Sequence, residues 1–66
     1  MKITLNGKNT DIPDQATATQ LVAHLQLTGK RIAMEVNKEL VLRSEYLEFI
    51  LQEGDSVEIV HAIGGG

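Results

Sequence analysis

The residues of this chain that stand out for their chemistry are its last three, Gly64, Gly65 and Gly66, which follow the stretch VEIVHAI. We expect Gly66 to carry a free α-carboxylate. A carboxylate resists nucleophilic attack until ATP converts it into an acyl-adenylate, after which sulfur or nitrogen can attack the carbonyl. Glycine has no Cβ to block a narrow channel, and it adopts backbone angles that other residues avoid. The ending therefore predicts a terminus that another enzyme activates.

Few other residues of the chain could do chemistry. His24 and His61 are far apart in sequence and are interpreted as surface residues, with partner contact as the alternative for His61. The absence of cysteine excludes a thiolate nucleophile and a cysteine-based zinc site. Five carboxylates are interpreted as a solvated face: Glu45, Glu48, Glu53, Asp55 and Glu58. We therefore expect no catalytic residue, no metal site and no bound cofactor.

The size and charge of the chain limit its partners. Its 66 residues, 42% of them hydrophobic, predict one domain with a small core. The net charge of −3 and the single adjacent basic pair, Lys30-Arg31, disfavour nucleic acid. No apolar run is long enough for a membrane span or a signal peptide, so we expect a cytoplasmic protein without a membrane partner.

A β-hairpin is predicted at the start of the chain. Apolar and polar residues alternate over residues 1–5, which is the period of a half-buried strand. Asn6-Gly7 follows, and both residue types tolerate the positive φ angles of a two-residue turn. This loop length pairs Leu5 with Lys8. The second strand has few apolar residues, so we expect an edge strand that ends at Pro13.

One amphipathic helix is predicted next. Thr17 as N-cap and Gln20 three residues later have the pattern of a capping box. Thr28-Gly29 is predicted to end the helix, because glycine commonly follows the last turn. The apolar residues of this segment fall on one stripe: Ala18, Leu21, Val22 and Leu25.

Three more strands are predicted in the second half of the chain. Residues 32–36 alternate as a third strand, residues 37–39 form a turn, and residues 40–42 form a short fourth strand. Residues 44–51 fit either one helical turn or a packed loop. Residues 57–63 form the last strand.

The last strand is apolar on both faces, with Val57 and Ile59 on one side and Val60 and Ala62 on the other. One helix cannot cover both faces of a sheet, so we expect a two-layer α+β fold in which this central strand exposes one face to a partner. The domain is predicted over residues 1–63, with a flexible tail over 64–66. The predicted partner contacts are Val60, His61, Ala62 and Ile63.

Three stretches of the chain resemble the ubiquitin-like β-grasp sulfur carriers: LNGK, EVNKELVLRSEY and EGDSVEIVHAIGGG. Within that group the chain is similar over essentially its whole length to the ThiS family of thiamine thiazole biosynthesis. Leu42 departs from the pattern, because many relatives have proline there. Such carriers have similar residues at Asn37, Val41, Arg43, Tyr46, Gly54 and Asp55.

This resemblance implies a β-grasp fold, with a mixed sheet of four to five strands and one helix packed on one face. It also implies that a ThiF-like adenylyltransferase activates Gly66 with ATP. A sulfur donor, such as a persulfide-bearing protein, then forms a thiocarboxylate that supplies thiazole synthase. Gly65 and Gly66 match the family's terminal pair, and Gly64 is an extra glycine that some relatives share. The protein would be a co-substrate, not an enzyme, and a monomer when free.

Three alternatives remain open. The small subunit of molybdopterin synthase shares the fold, the tail and the activation chemistry. A protein modifier would end with its terminal glycine joined to a lysine. A plain interaction domain would have an inert glycine tail.

Overall fold

Five strands and one helix form two layers in the computed structural model, which describes residues 1–61. The elements are β1 (Lys2–Leu5), β2 (Lys8–Asp11), α1 (Ala18–His24), β3 (Ile32–Val36), β4 (Glu39–Val41) and β5 (Ser56–His61). The sheet has the order β2-β1-β5-β3-β4, with β1 and β5 parallel and the other pairs antiparallel. The α+β prediction is confirmed. The predicted tail over 64–66 and the domain boundary at residue 63 lie outside the described residues.

The first hairpin forms as predicted. Leu5 pairs with Lys8, and Asn6 and Gly7 have φ angles of 50° and 83°. Both central residues therefore adopt the left-handed conformation of a type I′ turn, which suits the twist of the flanking strands. The second strand lies at the edge of the sheet, as expected.

The start of helix α1 also forms as predicted. The hydroxyl of Thr17 accepts a hydrogen bond from the Gln20 backbone amide at 3.1 Å, and the Gln20 side chain accepts one from the Thr17 amide at 2.8 Å. This capping box satisfies two backbone donors that have no partner inside the helix. The predicted stripe lies against the sheet, with Ala18, Leu21 and Val22 buried and Leu25 partly buried.

The predicted end of the helix is wrong. Helix α1 ends at His24, before Thr28-Gly29. Gln26 takes the left-handed position with φ of 60°, its amide donates to the Ala23 carbonyl at 3.0 Å, and the Leu27 amide donates to the Val22 carbonyl at 2.9 Å. These two bonds make a Schellman motif and satisfy the last carbonyls of the helix without a glycine.

The second strand of the second hairpin, β4, begins one residue earlier than predicted. Asn37 and Lys38 alone form the turn, with φ of 54° and 69°, and Glu39 is the first residue of β4, paired with Val36. After β4, Arg43–Glu45 forms one 3₁₀ turn, and a packed loop follows.

That loop joins the helix to the sheet. The Ala18 amide donates to the Phe49 carbonyl and the Leu51 amide to the Ala16 carbonyl, both at 2.8 Å. Leu51 is almost fully buried. The largest fully buried side chains are those of Ile3, Leu21, Met34, Leu51 and Val57. Within residues 1–61, no helix is long and apolar enough to cross a membrane.

Candidate functional site

The candidate site is the C-terminal end of β5, the strand that leads toward Gly66. β5 is central, as predicted, with β1 on one side and β3 on the other. The pairing with β3 continues to the last residue of the strand, where His61 pairs with Ile32. The pairing with β1 ends earlier, at Leu5 and Val57. The last part of β5 therefore needs another source of hydrogen bonds on its β1 side.

The side chain of Asn6 supplies those bonds. Its Oδ1 accepts from the Ile59 amide at 2.9 Å, and its Nδ2 donates to the Ile59 carbonyl at 3.2 Å. The primary amide thus replaces one residue of a neighbouring strand, although β1 has already turned at Asn6. This clamp lies two residues before His61, the last residue of β5.

A second asparagine holds the other end of β5. Asn37 accepts a hydrogen bond from the Ser56 amide at 3.0 Å and donates one to Asp55 at 3.0 Å. Asp55 in turn accepts from the Gln52 amide at 2.8 Å. Both type I′ turns therefore place an asparagine beside β5, one near each end. The sequence pattern predicts both asparagines as turn residues but has no signal for this second role.

Two of the predicted partner contacts are described. Val60 pairs with Ala33 on the sheet face opposite α1, and its side chain is 59% exposed. His61 is also exposed. The expectation that Val60 faces outward while Val57 and Ile59 face the core is confirmed. The other predicted tail and contact residues lie outside the described residues: Ala62, Ile63, Gly64, Gly65 and Gly66.

Two glutamates that are distant in sequence lie side by side in the sheet, which the sequence does not predict. Glu35 of β3 and Glu58 of β5 are direct cross-strand partners, and both are exposed. They lie between the Ala33–Val60 pair and the start of β5, on the sheet face opposite α1. The solvated-face interpretation covered Glu58 alone, because the register between two strands so far apart in sequence has no local signal.

Three other carboxylates accept hydrogen bonds, which their interpretation as a solvated face does not predict. Glu45 accepts a hydrogen bond from the Leu42 amide at 2.9 Å, and Glu53 accepts from the Lys2 amide at 3.2 Å to each oxygen. Asp55 bonds to Asn37 and to the Gln52 amide. Each side chain is exposed or partly exposed, yet each satisfies a backbone donor in a loop or at a strand end.

The described side chains form no metal site. Over residues 1–61 there is no group of three His, Asp or Glu side chains that could hold a metal ion. His24 lies exposed at the end of α1, and His61 lies exposed at the end of β5. What the arrangement does is hold β5 at the centre of the sheet, bonded to both neighbouring strands and to the side chains of Asn6 and Asn37.

The sheet is mixed, because β1 of the first hairpin runs parallel to the last strand, β5, and one helix packs on one face. This arrangement is the β-grasp fold of ubiquitin-like proteins. The family model of ThiS matches residues 3–66. The chain therefore belongs to the ThiS family.

Individual relatives agree with this assignment. The sulfur carrier protein ThiS of Bacillus subtilis is 41% identical over 63 residues, which cover 94% of this chain and 96% of that protein. The crystal structure of the thiamine biosynthesis protein ThiS from Geobacter metallireducens superposes with a TM-score of 0.87 at 28% identity, over the whole of both chains.

Two longer relatives contain a segment similar to this chain. Proteins named thiazole synthase from Magnetococcus marinus and Paramagnetospirillum magneticum are 41% and 35% identical to it over 66 residues. The chain spans only 20% of the length of each of these proteins.

Proposed function

We propose that this chain carries sulfur on the carboxylate of Gly66 and delivers it to thiazole synthase. The observation that carries the proposal is the family match, which runs through residue 66 and so includes all three glycines. The clamping of β5 by Asn6 and Asn37 supports it, because a rigid final strand presents whatever follows at a defined place.

The first step is activation by a ThiF-like adenylyltransferase. A carboxylate oxygen of Gly66 attacks the α-phosphorus of ATP, pyrophosphate leaves, and the carbonyl becomes part of an acyl-adenylate. This chain binds no cofactor of its own, and the ATP belongs to the partner. The contribution of Gly64 and Gly65 is steric, because residues without a Cβ pass through the narrowest channel.

The second step replaces AMP by sulfur. A sulfur nucleophile, supplied by a donor such as a persulfide-bearing protein, attacks the activated carbonyl and displaces AMP. With a persulfide donor this attack gives an acyl disulfide. A thiol then attacks the donor's own sulfur, forms a disulfide with the donor, and releases the thiocarboxylate on Gly66. The carrier acts as a co-substrate in both steps, since the adenylyltransferase supplies the catalytic groups.

The proposed recipient of the sulfur is thiazole synthase. Two relatives with that name contain a segment similar to this chain within one longer polypeptide. Covalent joining raises the effective concentration of one module for the other, which is useful when the two must meet in every cycle. This observation favours thiazole synthase over molybdopterin synthase as the recipient.

The proposal is tested with the purified chain, a ThiF-like adenylyltransferase, MgATP and hydrosulfide as the sulfur source. We expect the intact mass to show one oxygen replaced by sulfur, and the thiocarboxylate to support thiazole formation by thiazole synthase. A variant that lacks Gly66 is the control, and it should fold normally and stay unmodified. An unchanged mass for the wild-type chain would refute the proposal.

Two further assays separate the alternatives. Sulfur transfer to a molybdopterin precursor, but not to thiazole synthase, would assign the chain to the molybdopterin pathway. A ladder of higher-mass conjugates in cell extracts would identify a protein modifier.

A further inference from the structure

A small cavity opens on the helix side of the sheet, between the end of α1, the start of β3 and the 3₁₀ turn that follows β4. Its volume is about 170 Å³. Four apolar side chains form its floor: Val22, Leu27, Ile32 and Tyr46. Val22 and Tyr46 are buried, while Leu27 and Ile32 are half-buried. Ile32 lies on the same face of β3 as the buried Met34, so the cavity belongs to the helix layer and not to the opposite face of the sheet.

The rim of this cavity is positively charged. It includes Lys30 and Arg43, which are both exposed, and no aspartate or glutamate of residues 1–61. The chain has nine acidic and six basic residues, so two of its six cations lie at one cavity although its net charge is −3. Neither Lys30 nor Arg43 forms an ion pair within residues 1–61. We call the apolar floor and this charged rim together the basic pocket.

Hydrogen bonds hold the rim of the basic pocket in place. The Lys30 amide donates to the Leu27 carbonyl at 2.9 Å and closes a turn in which Gly29 has φ of 80°. Positive φ at the third residue is the mark of a type II turn, which favours glycine there. Nη2 of Arg43 donates to the Lys30 carbonyl at 3.0 Å, so the guanidinium is tied to the same turn. A ligand therefore meets a site that is already formed, and it does not have to order these elements.

We propose that the basic pocket binds an acidic segment of a partner protein, with one aromatic side chain of that segment inserted in the cavity. The inference goes beyond the proposed function, because this site does not involve Gly66. A cavity of about 150 Å³ holds benzene, so about 170 Å³ admits one phenyl ring. Sites for whole small molecules are larger, at roughly 300–1,000 Å³. Carboxylates beside the aromatic residue would pair with Lys30 and with Arg43, which keeps four of its five donors after bonding to the Lys30 carbonyl.

The composition of the basic pocket disfavours other occupants. A second copy of this chain has no suitable side chain to insert, because its aromatic residues, Tyr46 and Phe49, are buried and half-buried. Nucleic acid is disfavoured because two cations neutralise few phosphates. A free inorganic anion would leave the apolar floor in contact with water. An acidic segment with an aromatic anchor complements both the charge of the rim and the apolar floor.

The test titrates the full ¹⁵N-labelled chain with the peptide acetyl-Asp-Glu-Phe-Glu-Asp-amide and follows the backbone amides by NMR. Two control peptides separate the two parts of the ligand: one has alanine in place of phenylalanine, and the other has asparagine and glutamine in place of the acids. Lys30→Glu reverses one charge of the rim. Lys38→Glu is the matched control, because Lys38 is an exposed lysine in the turn between β3 and β4 and does not line the basic pocket. Tm is measured for each variant.

We expect the phenylalanine peptide to shift the amide signals of Thr28, Gly29 and Lys30 saturably. The alanine peptide should bind about tenfold more weakly, because the anchor is gone, and so should the uncharged peptide. Added salt should weaken binding of the phenylalanine peptide. Lys30→Glu should lower its affinity about tenfold, while Lys38→Glu should bind it within twofold of the wild type.

Four results would overturn the inference. The first is the absence of saturable shifts in the wild-type chain at millimolar peptide, and the second is shifts confined to residues away from the basic pocket. The third is equal affinity for the phenylalanine and alanine peptides, which would reduce binding to charge alone. The fourth is an equal loss in Lys30→Glu and Lys38→Glu. If Lys30→Glu failed to fold, the three peptides on the wild-type chain would decide without it.

Discussion

The side-chain amide of Asn6 lies against the backbone of Ile59 and makes two hydrogen bonds with it, at 2.9 and 3.2 Å, across 53 residues of sequence. Asn6 is at the same time the first central residue of a type I′ turn, with φ of 50°. One residue thus ends β1 and extends its hydrogen bonding along β5. Asparagine is suited to both tasks, because it tolerates positive φ and carries both a donor and an acceptor.

The first prediction concerns this clamp. Asn6→Asp keeps a short side chain that tolerates the turn, but it replaces the Nδ2 donor with an oxygen that faces the Ile59 carbonyl. We expect the free energy of unfolding to fall by about 1–2 kcal/mol, which is the effect of losing one hydrogen bond and leaving its acceptor without a partner. Urea unfolding followed by circular dichroism measures it.

Asn9→Asp is the control for that change. Asn9 lies exposed on the edge strand β2, and its side chain makes no hydrogen bond within residues 1–61. The same substitution there should alter stability by less than about 0.5 kcal/mol. Equal losses at the two positions would mean that added negative charge, and not the clamp, determines the effect.

The second prediction concerns the two turns, which differ at one position. The first turn has Gly7 where the second has Lys38, at φ of 83° and 69°. A residue with a Cβ loses roughly 1 kcal/mol or more in this conformation, and glycine does not. We expect Lys38→Gly to raise the free energy of unfolding by about 0.5–1 kcal/mol, after allowance for the greater freedom of glycine in the unfolded chain.

The reverse substitution, Gly7→Lys, completes this comparison. A Cβ built on Gly7 would meet no atom within 4 Å, so only the backbone angle can oppose it. Chemical denaturation should show a loss of about 1 kcal/mol. A gain at position 7, or a loss for Lys38→Gly, would contradict the assignment of strain to these angles.

How much of the fold can be predicted depends on how far apart the interacting residues are in sequence. The turn at Asn6-Gly7 and the helix start at Thr17 involve neighbours within three residues, and both predictions are confirmed. The predicted helix end is wrong, although it also depends on residues close in sequence. Gln26 and Gly29 both have positive φ, at 60° and 80°, and the helix ends before the first of them.

The candidate site was predictable only in part for the same reason. The outward direction of Val60 follows from alternation within β5 and is confirmed. The Asn6–Ile59 clamp and the Glu35–Glu58 pair depend on the register between distant strands, for which the sequence has no local pattern. The predicted role of Gly66 depends on chemistry that takes place in a partner.

The third prediction uses two valines of β5 that face opposite sides of the sheet. Val57 is fully buried and Val60 is 59% exposed. Val57→Thr places a hydroxyl in the core, so we expect the free energy of unfolding to fall by about 1–3 kcal/mol. Val60→Thr should leave stability within about 0.5 kcal/mol of the wild type.

The same pair separates stability from partner contact. Val60 is a predicted partner contact, and Val60→Thr makes it less apolar, so we expect it to raise the KM for the carrier in thiocarboxylate formation while kcat stays unchanged. Mass spectrometry of timed reactions gives both constants. An unaltered KM for Val60→Thr would show that Val60 does not contact the adenylyltransferase.

The fourth prediction concerns Leu42, where many similar carriers have proline. Leu42 has φ of −75°, which proline can adopt, and it follows an extended residue of β4 as a proline would require. Proline would stabilise the fold by about 0.4–1 kcal/mol through a less flexible unfolded chain. It would also remove the amide that donates to Glu45 at 2.9 Å, a loss of about 0.5–1.5 kcal/mol. Leu42→Pro should therefore change the free energy of unfolding by less than about 1 kcal/mol.

A double-mutant cycle separates these two opposing effects. Glu45→Ala should lower the free energy of unfolding of the wild-type chain by about 0.5–1.5 kcal/mol, because the Leu42 amide loses its acceptor. The same substitution combined with Leu42→Pro should lower it much less, since that amide is already gone. If Glu45→Ala had the same effect in both backgrounds, the 2.9 Å bond would contribute nothing to stability, and the near-neutral result for Leu42→Pro would need another explanation.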